Sequence, residues 1–139
     1  MKPNLTFFLD RTIGRHDLPE RLRKLGLSIE IHYDHFRPDE SDVVWISEIG
    51  ERGWVVLSGD KKIGRKVNEI LAIITAKVKM FILADRKPSP DRHEHAMRRH
   101  LESIKVLAEY VPPPFMVKVT SQTQGIYFRW LGGRNINRL

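Results

Sequence analysis

The sequence predicts an open, mostly parallel α/β sheet covered by helices on both faces. Short apolar runs alternate with helical patterns in the order β-α-β-α-β-α-β, joined by short loops. Three of the apolar runs, in FFLD, VVLSGD and FILAD, end close to an aspartate. The composition, 139 residues with 41% hydrophobic and 29% charged, suits one soluble globular domain with a real core. The crossovers are expected to be right-handed.

NLTFFL reads as a buried strand, short, aromatic-rich and ended by polar residues. In DLPERLRKLG, Asp17 suits an N-cap, Pro19 the first turn, Leu18, Leu22 and Leu25 one apolar face, and Gly26 the stop. LSIEIHY alternates as a strand does, and HFRPDES is a loop. SDVVWISEIGERG predicts a helix with Val44, Trp45, Ile46 and Ile49 on its apolar side. WVVLS is the third strand, NEILAIITAK a buried helix and KMFIL the fourth strand. DRKPSPD is a turn-rich link into a long helix, DRHEHAMRRHLESIKVLAEY, which VPPP stops. FMVKVTSQTQGIYFRWL predicts two strands around a polar turn, a terminal hairpin. Residues 1–139 are thus expected to form a single domain, with an acidic-site core over 1–85 and a basic helix and hairpin over 86–139.

The net charge of +7 is unevenly distributed. Residues 1–85 hold 14 Lys/Arg against 13 Asp/Glu, and residues 86–139 hold 10 against 4, leaving +6 in the last part. Such an asymmetry fits either a polyanionic partner, RNA above all, or a solvated basic surface. No apolar stretch reaches the ~18 residues of a membrane span, because Lys77 and Lys79 interrupt the longest. No membrane contact is expected, and without a signal-peptide pattern the expected location is the cytoplasm. The absence of cysteine excludes disulfides and thiolate metal sites.

In an open α/β sheet, ligands bind beyond the carboxyl ends of the strands. Asp10, Asp60 and Asp85 each follow a predicted strand, and Asp42 opens a helix that can point to the same edge. Taken singly, each suits an N-cap or a turn. Gathered together, carboxylates repel one another unless a cation joins them, and oxygen-only ligands favour Mg2+ or Mn2+. Such an ion can activate water against a phosphodiester.

FFLDRTIGRHDLPERLRKLG, followed by ESDVVWISEIGERGWVVLSGDKKI, resembles the PIN-like nuclease domain, in particular the short PIN-like proteins grouped with VapC-type toxins. The resemblance covers roughly residues 5–85. It implies a PIN-like fold and a metal-dependent ribonuclease, with room for a toxin role, an antitoxin protein partner and a homodimer. By motif position it implies Asp10, Asp42 and Asp60 as metal and catalytic residues, and Ser58 as a hydroxyl orienting water or a carboxylate. Arg11 and Lys61 are the expected substrate contacts beside them. Family members often carry a further acid two positions beyond Asp60; here that place is Lys62, and Asp85 is the candidate replacement. Lys62 keeps open the alternative of a catalytically inactive PIN-like module that binds RNA or protein.

Elsewhere, Arg98 and Arg99, with Arg92 and Lys105, suit either an RNA-backbone contact or a solvated helix face. His93 and His95 are two apart and share no helix face, which speaks against zinc. Tyr127, Phe128 and Trp130 suit base stacking, hairpin packing or a subunit interface. A haloacid-dehalogenase-type phosphatase needs an acid two residues after its nucleophilic aspartate, where Thr12 stands.

Overall fold

The computed structural model describes residues 4–132. Its elements run β1 (Thr6–Leu9), α1 (Leu18–Lys24), β2 (Ser28–Ile31), α2 (Asp42–Arg52), β3 (Val55–Ser58), α3 (Val67–Thr75), β4 (Lys79–Leu83), α4 (Pro90–Tyr110), β5 (Phe115–Val119) and β6 (Ile126–Trp130). They build one six-stranded sheet of order β2-β1-β3-β4-β5-β6. The first five strands are parallel and β6 is antiparallel to β5. The expected hairpin is therefore present, but its first strand is also the fifth parallel strand. β4-α4-β5 is one more crossover unit, which binds the basic last part of the chain into the sheet.

Successive strand residues point to opposite faces, and both faces are buried. Phe7, Leu9, Leu57, Phe81 and Val117 pack with Leu18 and Leu22 of α1 and with Ala96, Met97 and Ile104 of α4. Phe8, Val56, Met80, Ile82 and Met116 pack with Trp45, Ile46 and Ile49 of α2 and with Ile70 and Ile73 of α3. Helices thus cover both faces, α1 and α4 on one and α2 and α3 on the other. The steps β3 to β4 and β4 to β5 move the same way along the sheet, yet their helices lie on opposite faces. These two crossovers consequently have opposite hands, so the four cannot all be right-handed. The physical room for the exception is the turn-rich link after Asp85 and the 21 residues of α4, long enough to cross the sheet end and return.

Local chemistry agrees with most of the expected boundaries. Ser41 caps α2 by accepting from the Val44 N–H, and Gly53 closes that helix at φ 72°. At α1, Asp17 sits in the cap position without capping: its carboxylate pairs with Arg21 one turn on, at 2.8 Å. Val44, expected on the apolar side of α2, is 45% exposed. The alternation of LSIEIHY stops early, because His32 leaves the strand for a 3-10 turn (His32–Asp34) and buries its ring against Phe8, Phe36 and Trp45. Lys77 closes α3 at φ 55°, where glycine is the unstrained choice.

Helix α4 departs from helical angles at His100, whose Nε2–H donates to the Gln122 carbonyl at 2.8 Å. Next to it, Arg99 donates to the Thr123 hydroxyl at 2.6 Å. The Asp85 carboxylate accepts from the Ser121 N–H at 3.0 Å and the Ser121 hydroxyl at 2.9 Å. The β5–β6 turn is thereby fastened to both α4 and the end of β4.

Candidate active site

β2 lies on one side of β1 and β3 on the other, so the strand order reverses between β1 and β3. Beyond their carboxyl ends is the crevice where open α/β sheets bind ligands. Asp10 continues β1 there and Ser58 ends β3; since Leu9 is in register with Leu57, these two are neighbours. The Ser58 hydroxyl donates to one Asp10 oxygen, and the Thr12 hydroxyl and N–H donate to the other, the N–H at 3.0 Å. Ser58 Oγ also accepts the Asp60 N–H at 3.0 Å, so one hydroxyl links the two acidic residues.

Gly59 lets these segments come so close. Its N–H donates to the Thr12 hydroxyl at 2.8 Å, and a Cβ there would stand 2.7 Å from Ile13 Cγ2. Asp60 closes a local turn by accepting the Lys62 N–H at 2.8 Å, which leaves the exposed Lys62 side chain outside it.

Asp10 is only 4% exposed, and its carboxyl is pushed up to about 6. Burial is the main cause and the Asp60 charge acts in the same direction, while the Ser58 and Thr12 hydrogen bonds oppose it. Burial above all, with a smaller contribution from the Asp60 charge, disfavours the ionised form, and a cation beside it would offset both. The carboxylates of Asp10 and Asp60 and the Ser58 and Thr12 hydroxyls are hard oxygen donors, of the type that holds an ion by one or two carboxylates plus water and phosphate. Among the described residues, no three His, Asp or Glu side chains converge as a metal-holding group.

The remaining candidates are placed differently. Asp42 is the first residue of α2, and one of its oxygens accepts both the Arg11 guanidinium and the Trp45 indole N–H at 2.8 Å. Arg11 also donates to the carbonyls of Pro38 at 2.5 Å and Glu40 at 2.9 Å. It ties the loop before α2 to the residue after Asp10, and both its terminal nitrogens donate to protein groups. Asp85 is buried on the Ser121 turn beyond β4, two strands from β1, with one oxygen unpartnered. Near it lies His93, buried, which desolvation holds below the usual imidazole range. Arg98 is exposed and pairs with Glu94 at 2.8 Å, and Arg99 reaches Thr123, both on the helix that covers the other face. His95 is exposed. Lys61, directly after Asp60, is half-buried at the mouth of a cleft.

Thr12, which joins Asp10 to Gly59, is the neighbour of the acidic pair that sequence reasoning did not single out. Its signal is an Asx turn, an aspartate followed two places on by a hydroxyl residue at the end of a strand.

A family model described as "PIN like domain" matches residues 5–85. The curated protein "Putative ribonuclease VapC45" of Mycobacterium tuberculosis is 26% identical over 119 residues, 81% of this chain and 83% of that protein. No solved structure matches. With the family model spanning more than half of its length, and its acidic pair at the switch point of a mostly parallel sheet, the chain belongs to the PIN-like domain family.

Proposed function

We propose that the chain is a metal-dependent endoribonuclease that hydrolyses RNA phosphodiester bonds, acting in the cytoplasm as the toxin of a toxin–antitoxin pair. The observation that carries this reading is the buried Asp10 carboxylate, held by two hydroxyls beside Asp60 at the switch point. The ribonuclease named among the similar proteins supports the substrate class. An antitoxin protein is the partner proposed with it.

Asp10 and Asp60 would hold Mg2+ or Mn2+. When bound, such an ion supplies an acidified water and charge for the leaving oxygen. The chain's own residues do the rest. Ser58 and Thr12 fix the Asp10 rotamer and lower the cost of its charge. Asp42 acts through Arg11, holding the chain that follows Asp10 against the start of α2. Lys61 stands beside Asp60 to meet a phosphate, and Arg98 and Arg99 extend the basic surface for RNA farther from the cut.

The test is cleavage of a mixed RNA pool by wild type, Asp10→Asn and Asp60→Asn in Mn2+, Mg2+ or EDTA. Wild type cuts only with metal, and each variant loses activity by orders of magnitude while still binding RNA. If wild type cuts with neither metal while binding RNA or protein, the enzyme reading is wrong.

A further inference from the structure

Because α4 lies on the same face as α1, among the described residues no helix follows α3 on the opposite face over β4, β5 and β6. On that face Met80, Ile82 and Met116 are buried, but Lys118, Tyr127 and Arg129 are exposed, and an uncovered strip in an α/β fold calls for an explanation. Here it forms the floor of a cleft of about 270 Å³, near the ~300 Å³ lower end of small-molecule sites.

The cleft begins at Lys61, the residue after Asp60, and a row of strand residues connects it to the acidic pair. Ser58 is in register with Ile82, Ile82 with Lys118, and Lys118 with Tyr127. Side chains alternate, so these four and Asp10 point to one face, the face of Val56, Met80 and Met116. A single row at the carboxyl edge thus reads carboxylate, hydroxyl, apolar floor, cation, aromatic ring. At about 4.8 Å per strand, Lys118 lies about 10 Å from Ser58 and Tyr127 about 14 Å. Arg129, opposite Met116, shares the face, and Lys61 and Arg65 form the other wall. Among the described residues, four cations line the cleft and no carboxylate does. Tyr127 is 57% exposed, whereas Phe128 packs its ring on Phe115, 5.5 Å away, on the other face.

We propose that this cleft is a nucleotide subsite for single-stranded RNA, in which Tyr127 stacks on a base flanking the scissile bond. Lys61, Arg65, Lys118 and Arg129 hold the backbone between that base and the acidic pair. An exposed ring among cations is the arrangement that binds single strands through stacking and phosphate contact. A cleft meant for apolar packing would not place four charges around its rim. The proposal rests on the ribonuclease reading for its cleavage chemistry, but its binding test does not.

The probe is a fluorescein-labelled oligoribonucleotide, bound in EDTA and followed by anisotropy across a salt series. Tyr127→Ala weakens binding roughly five- to hundred-fold, the loss expected for one stacked base. Its salt slope is unchanged, and Tyr127→Phe restores affinity. Lys118→Ala with Arg129→Ala flattens the slope by about 1.4, two phosphate contacts at about 0.7 each. Lys24→Ala, exposed on α1, changes little. Circular dichroism melts verify that the variants fold. If the Tyr127 and Lys118 variants bind like wild type while metal-dependent cleavage persists, the subsite is wrong and the enzyme reading stands. If the oligonucleotide depends on Tyr127 but is never cut, the subsite stands and the enzyme reading falls. Displacement by polyglutamate at equal charge, with no effect of Tyr127→Ala, would assign the cleft to an acidic protein segment and overturn the proposal.

Discussion

Replacing Asp10 with Asn should stabilise the metal-free protein, and the gain should depend on pH. Burial moves this carboxyl from 3.8 to about 6. At 1.36 kcal/mol per unit, the ionised form therefore costs the fold about 3 kcal/mol at neutral pH. The sign follows from the raised value. The folded state holds the proton more tightly, so the stability it brings is complete below 3.8 and is lost as pH rises through 6. The amide removes the charge and keeps one acceptor oxygen, but its NH2 group meets either the Ser58 or the Thr12 donors, a loss of about 1 kcal/mol. In EDTA at pH 8 the variant should thus be more stable by about 2 kcal/mol. Near pH 4 the gain should vanish and reverse slightly. Urea unfolding followed by circular dichroism, with m compared between the proteins, measures this difference. Taking it between the two proteins at each pH cancels every other titrating group. With excess Mn2+ the order should invert, since a ligand at a hundred times its Kd adds about 2.7 kcal/mol to wild type alone. A variant less stable than wild type at pH 8 in EDTA, or a difference independent of pH, would refute the reasoning.

Ser58→Ala removes a hydrogen bond that lowers the Asp10 carboxyl, so cleavage should suffer far more at pH 6 than at pH 8; equal losses at both would contradict it. His32 is fully buried with neither ring nitrogen partnered, and burial holds its imidazole below the usual value. The unfolded chain takes the proton more readily, so His32 erodes stability as pH falls below 6.5, and His32→Leu should flatten that acid limb in urea titrations. Lys77→Gly relieves the left-handed conformation that closes α3 and should add roughly 0.5–1 kcal/mol, read as a raised melting temperature.

The parallel sheet was legible because hydrophobic period and turn chemistry are local signals, and β1 through β4 carry them plainly. Ser58 meets Asp10, and the Asp60 N–H meets Ser58, because parallel strands deliver their carboxyl ends to one edge. The partner of β5 was not legible. Its pairing with β4 spans all of α4, and no local pattern says which edge a returning strand joins. The hand of that crossover was lost for the same reason. Trp45, counted only as core, also fixes Asp42 through its indole, a contact made across one helical turn that hydrophobicity does not report. His32 defeated the alternation of LSIEIHY because its ring prefers an aromatic cluster to the next place in the strand.

The fastening of the β5–β6 turn has a consequence for affinity. Three polar anchors, His100 on Gln122, Arg99 on Thr123 and Asp85 on Ser121, immobilise the segment between the strands that bear Lys118 and Tyr127. A loose hairpin would have to be ordered by each incoming strand, at roughly 0.5–1.5 kcal/mol for every side chain stilled. Here that ordering is complete before any encounter, so the ring and its neighbouring cation meet RNA as a preorganised surface. Loosening one anchor, for instance by Asp85→Ala, would then slow capture of RNA without touching a single atom that contacts it.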